Sequence, residues 1–286
     1  MTAERTLGTV ALHDQIADDL RERIASGEYA PGATLPSVRQ LQDKWKCSDG
    51  PVRDALTILR NEGRIIQSRG APARVRIAPE RALSISITPE AAQTQKDLAL
   101  RPQNERAETG ASELALGVPI DQTAFTATYT RVPADRELAG EFELQAGAEL
   151  LRREYRTVHS ESDRLVLSSV SHIPIALVEG NPDLLDEKNE PWPGGHWHQL
   201  YTVGIEIDRI ESSITAIQPT PRQRQDWKMD PGVPLLCLRS LSIDTEGRVV
   251  EVADSTYPGD RTAISFTQQL SRWPTTRRAR PGRKAV

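Results

Sequence analysis

Nine cationic side chains crowd the stretch from Val38 to Ala78: Arg39, Lys44, Lys46, Arg53, Arg60, Arg64, Arg69, Arg74 and Arg76. Only Asp43, Asp49, Asp54 and Glu62 oppose them, so this stretch carries nine positive and four negative charges, a net +5, in a chain whose formal charge is −4. Guanidinium forks at that density suit phosphate oxygens and the edges of guanine, the groups that duplex DNA presents. A local basic face on an acidic protein is the electrostatic footprint of a nucleic-acid contact rather than of general stickiness. Ser48-Asp49-Gly50-Pro51-Val52-Arg53 is the start of a helix, the place from which first-turn side chains reach base edges when a second helix lies in the major groove.

The elements that must hold these groups are legible around them. Leu12, Ile16, Leu20 and Ile24 recur every four residues and predict a helix over 9–26, closed by Gly27. After the Pro31-Gly32 turn, Ser37 and Gln40 form the two ends of a capping box, so a short helix is expected over 38–46. Ser48 is the next expected cap, with Pro51 in the first turn and Val52, Ala55, Leu56 and Leu59 as the buried face up to Gly63. Two short extended runs, 64–67 and 73–77, flank Ser68-Arg69-Gly70-Ala71-Pro72, whose Gly and Pro suit a tight reversal. Three helices and a hairpin make a winged helix-turn-helix, assigned to 1–78.

From 79 to 120 no period is sustained, and RPQNERAETGAS is polar and rich in turn formers, so this stretch reads as a linker with some ordered pieces. Residues 121–273 change to alternating runs at 124–132, 150–158, 165–173, 210–217, 235–243 and 249–257 with helical pieces between, which predicts an antiparallel sheet with helices and an α+β chain overall. The basic end, 274–286, reads as a disordered tail that adds unspecific attraction to phosphate.

Several functions are disfavoured by the same residues. With 37% apolar and 27% charged residues, no run reaches the ~20 apolar residues of a membrane span. The amino terminus has no export signal, so a cytoplasmic protein is expected. Cys47 and Cys237 fall in different domains and read as core fillers rather than a disulfide or a zinc site. His196-Trp197-His198 is a poor metal pattern without a third ligand nearby. No catalytic triad, metal or cofactor signature is present, so no catalytic residue and no cofactor is assigned.

IADDLRERIASGEYAPGATLPSVRQL followed by CSDGPVRDALTILRNEGRI resembles the GntR family of bacterial regulators. The resemblance implies a winged helix in which Arg39 and Arg53 contact operator DNA, with Arg69 and Gly70 at a wing tip entering the minor groove. Ser48, Asp49, Gly50 and Pro51 stand where the family often has Ser-Arg-x-Thr. Asp49 therefore replaces a cationic donor: it could accept from cytosine N4 or simply strengthen the helix start, and an operator unlike the common family sites is expected.

The later part, TATYTRVPADRELAGEFELQAGAELLRREYR, then SSVSHIP, HQLYTVGIEIDRIES, DPGVPLLCLRS and DTEGRVVEVADSTYPGDR, resembles the UTRA effector domain of the HutC branch, similar in fold to chorismate lyase. By that resemblance Arg153, Tyr155, Ser171, His198, Glu251 and Tyr257 would line an effector site, with Arg153 gripping an acidic group. Alternatively, Arg153 pairs with Glu154 or Glu143 at the surface, Glu251 is an exposed strand residue and Tyr257 is core. Tyr155 stands where many relatives have a second arginine, which argues for a less anionic or more hydrophobic ligand than a sugar phosphate. The expected protein is a homodimeric repressor released from DNA by a small molecule; the alternative is a constitutive or protein-controlled repressor whose second domain only dimerises.

Overall fold

The computed structural model of the chain describes residues 10–68, 70–79, 83–108, 123–160 and 164–271. Arg69, residues 80–82 and 109–120 of the expected linker, and the whole expected tail, 274–286, lie outside these residues.

Three helices form the first unit: α1 (Leu12–Ala25), α2 (Val38–Trp45) and α3 (Asp49–Asn61). Ile16 and Leu20 of α1 are fully buried against Leu41, Val52, Leu56 and Leu59, so the four-residue stripe read from the sequence is the core face. Truncating one such leucine to alanine costs ~2–5 kcal/mol. Ser37 caps α2 as expected, with Gln40 returning the bond to the Ser37 backbone at 2.8 Å. Ser48 differs: it occupies the cap position of α3 in extended backbone, but its side chain makes no capping bond. Asp49 in the first turn supplies the favourable negative charge at that end instead.

Strands β1 (Ile65–Ile66) and β2 (Arg74–Val75) pair antiparallel as the wing. A third segment joins them. Leu35 N–H donates to Ala73 O at 2.9 Å and Gly32 N–H to Val75 O at 3.0 Å, so the chain after the Pro31-Gly32 turn is zipped along β2. Gly32, with φ of +82°, holds the left-handed backbone this turn needs.

The expected linker contains regular structure: β3 (Leu83–Ile87), α4 (Pro89–Leu98) and α5 (Gln103–Glu108). Strand β3 pairs in parallel with β10 (Thr262–Phe266), and α4 packs on α8 (Gly195–Thr202).

Six strands make the main sheet, in the order β4 (Thr123–Pro133), β5 (Glu149–His159), β6 (Arg164–Pro174), β9 (Val249–Pro258), β8 (Leu235–Asp244) and β7 (Ile207–Ile217), every pair antiparallel. Helix α6 (Arg136–Glu141) leads into Phe142, which packs with Ala139 on Leu150 and Val252. Helix α7 (Ile175–Val178), two short 3-10 turns (Pro182–Leu185 and Glu187–Asn189) and α8 close over Leu151 and Ile173. Helix α9 (Pro221–Asp226) leads into Trp227, which packs on Leu165 and Leu235. No helix of the described residues is long and apolar enough to cross a membrane.

Candidate functional site

Two groups of residues have the makings of a site. The first is the exposed amino-terminal end of α3 with the start of α2. Arg39 and Arg53 are both exposed, and Gly50 is open to solvent with no atom near its missing side chain. Arg53 pairs with Asp49 four residues before it on the same helix. Both partners are half or more exposed, so the pair adds little stability; its effect is to tether the guanidinium that would face DNA. Arg39, Lys46, Arg60 and Arg74 form no ion pair among the described residues. Gly70 sits at the wing with φ of +80° and nothing within 4 Å of its missing side chain.

Arg76 departs from the expected basic face. Its guanidinium, almost covered, donates to Asp230 at 2.6 Å and pairs with Asp260, both in the second unit. Burial pushes the Asp260 carboxyl up, but Arg261 and Arg76 outweigh it and hold it below the usual range. Beside this clamp, Gly232 (φ +80°) lies on the carboxyl end of α3, where an added methyl group would overlap Asn61 O, Arg60 O and Gly63 N. The helix carrying Arg53 is thus seated directly on the loop before β8.

The second group lies on one face of the main sheet. Directly opposed residues of neighbouring antiparallel strands share a face, and the register sets Tyr129, Arg153 and Ser171 side by side on β4, β5 and β6. Arg153 is 1% exposed and Glu251 3%. The Arg153 guanidinium donates Nε–H to Ser171 Oγ at 2.9 Å and an Nη2 proton to Glu251 at 2.5 Å, and bonds Gln199 of α8 through Nη1. His196 Nδ1, on the same helix, lies 2.9 Å from Glu251 Oε1. Burial pushes the Glu251 carboxyl up; the His196 and Arg153 charges and bonds from His196 and Ser171 overcome it and hold it at about 2. The Tyr155 ring packs on that of His196, tilted by 33° with centroids 5.0 Å apart, and its hydroxyl meets Glu190, which also bonds Tyr129 and Gln199.

Of the residues picked out in the sequence, Arg153, Tyr155, Ser171 and Glu251 are brought together. Neither partner suggested for a surface Arg153, Glu154 or Glu143, is the one it takes. His198 turns the other way, accepting from Trp192 Nε1 at 2.8 Å, so the two histidines of His196-Trp197-His198 serve different neighbours. Tyr257 is buried with Ile85 at the end of the sheet covered by β3 and β10. Tyr129, Glu190, His196 and Gln199 were missed. The three-residue spacing of His196 and Gln199 places both on one side of α8 and was the available signal; Glu190 in a Pro-rich loop gave none. An open hollow of about 280 Å³ is lined by Arg131, Val132, Pro133, Gly147 and Glu149, none of them in this cluster, and it gathers few convergent donors.

Residues 12–75 match the family of bacterial regulatory proteins called gntR, and residues 125–263 match the UTRA domain. An uncharacterized HTH-type transcriptional regulator of Streptomyces coelicolor is 29% identical across 88% of this chain and 90% of its own length. The HTH-type transcriptional repressor NagR of Bacillus subtilis is 25% identical across 92% of this chain and 97% of its own. A crystal structure described as a GntR-family transcriptional regulator superposes with a TM-score of 0.68 at 19% identity, covering 92% of this chain and 99% of that one, which is a likeness of fold.

Proposed function

Because the chain is a transcriptional regulator built from a gntR-family DNA-binding domain and a UTRA domain, we propose that it is a cytoplasmic, homodimeric repressor of the HutC type that reads an inverted repeat and leaves it when a small molecule enters the Arg153–Glu251 cluster. The observation that carries this is the cluster itself. A buried ion pair is weak as a stabilising device and costly to desolvate, so its presence beside a tyrosine, a histidine and a glutamine suits a recognition site. Repression is supported by the name of the Bacillus subtilis relative.

In this proposal Arg39 and Arg53 clamp phosphates and base edges, with Ser48 to Pro51 at the groove and Gly70 at the wing. Two-fold symmetry of the protein would be mirrored in its operator. The Arg76 clamp and the Gly232 seat fix the reading head on the second domain, so a change in the sheet domain shifts the head only if the ligand prefers the released arrangement. A gel-shift titration of the operator complex against fractionated metabolite pools tests this: one pool should release the DNA, and indifference to all of them contradicts an effector.

A second reading has its own observation. Arg153 is already satisfied by Glu251, Gln199 and Ser171, as a domain that only dimerises would have it. Thermal shift with the same pools separates the two, because a dimerisation module gains no stability from any of them.

A further inference from the structure

Glu190 follows a short 3-10 turn and precedes the loop Pro191-Trp192-Pro193-Gly194-Gly195 that feeds α8. Its carboxylate reaches inward. Oε1 accepts from Tyr155 Oη at 3.0 Å, from Gln199 Nε2 at 3.0 Å and from the Tyr129 hydroxyl; Oε2 accepts from the Trp192 N–H at 2.7 Å. Three of these four donors stand on β4, β5 and α8, outside the loop that carries Glu190. Burial raises the Tyr155 hydroxyl well above its usual value and Tyr129 to about 12, so both remain protonated donors at neutral pH. Gln199 also accepts from Arg153 through its Oε1, which orients its amide N–H toward Glu190.

We infer that Tyr129, Tyr155 and Gln199 form a carboxylate seat occupied by the protein's own Glu190, and that the effector is a small carboxylate that takes this seat by exchange. The inference rests on the effector role proposed above and names the ligand's chemical class. Two points favour a monocarboxylate. Arg153 is committed to Glu251, so the seat offers neutral donors, enough for one negative charge and poor for a dianion. Exchange of one carboxylate for another leaves the number of buried charges unchanged, so the ligand does not have to bury an additional ion. The departing segment also has a mechanical consequence: Gly194 is packed on Arg106 of α5, and α4 on α8, so displacing the loop disturbs the helices that follow β3 and lead back to the DNA-binding unit.

The probe is sodium acetate, with chloride and phosphate at matched ionic strength, read by thermal shift on the full chain. Glu190→Ala removes the internal competitor and leaves the donors, so acetate should stabilise this variant saturably, with an apparent affinity on the order of tenfold or more above the wild type. Adding Tyr129→Phe and Tyr155→Phe to it should abolish that gain. If Glu190→Ala does not fold, Glu190→Gln serves: its oxygen can keep the bonds of Oε1, but its NH2 faces the Trp192 N–H and it carries no charge, so it competes more weakly and acetate should still stabilise it more than the wild type. Equal acetate response in wild type and both variants, or a response matched by chloride, overturns the inference. Release of operator DNA by a metabolite pool without any acetate preference in the variants would sink the seat and spare the effector reading; acetate binding in the variants with silence from every pool would do the reverse.

Discussion

At the scale of single residues, Arg53 and Asp49 form the ion pair that would most directly shape the proposed DNA contact. To meet a phosphate or guanine, Arg53 must leave its neighbour, and at half-exposed positions that costs little. Arg53→Ala is therefore expected to weaken operator binding by ~1–3 kcal/mol while leaving the melting temperature unchanged. Asp49→Ala should raise affinity for random duplex and steepen its salt dependence. Fluorescence anisotropy at several salt concentrations checks both. In the sheet domain, Arg153→Ala strands Glu251 in the interior and should cost ~3–5 kcal/mol in urea unfolding. Glu251 and Glu190 are both held below their ordinary carboxyl values, Glu251 at about 2. Such groups bind fewer protons folded than unfolded, so their contribution is complete above the unfolded value near ~4.3 and fades as pH falls toward the folded one. Acid unfolding followed by circular dichroism should show this loss, and Glu251→Gln should flatten it.

The elements differ in how much of them the sequence reveals. Helix α1 announces itself through Leu12, Ile16, Leu20 and Ile24, and the six main strands through their alternation, because each of these patterns is local and repeats the geometry of its element. The pairing of β3 with β10 is not local. It joins Leu83 to Thr262, and nothing in a five-residue run names a parallel partner so far along the chain. Helices α4 and α5 were hidden for a related reason, since short polar helices gain their stability from packing. The same limit applies within the site: Arg153 and Glu251 follow from a family pattern, whereas Gln199 and Glu190 matter only through what the fold sets beside them. One contact between elements is open to direct test. Gly232→Ala forces the loop before β8 away from α3, and the DNA-binding unit should then reorient and lose operator affinity while the sheet domain melts as before. Calorimetry of the two transitions beside anisotropy would show it; unchanged affinity would mean that the seat under α3 carries no coupling.

For the whole molecule, an acidic chain of net charge −4 carries a local cationic excess over 38–78, so attraction to DNA depends on where the charges stand rather than on their sum. Arg76 shows the division of labour: of the nine cations in that domain's basic stretch it is turned inward to hold the second domain, while Arg39 and Arg53 face outward. A dimer of such chains should read two half-sites about one helical turn apart. The most direct test is selection of bound sequences from a random duplex pool by the full-length protein, followed by anisotropy on the recovered motif with wild type, Arg39→Ala and Arg53→Ala. The expected result is an inverted repeat, bound with a steep salt dependence and with affinity about tenfold or more weaker in each variant. Failure to enrich any motif, or equal binding by wild type and both variants, would contradict it.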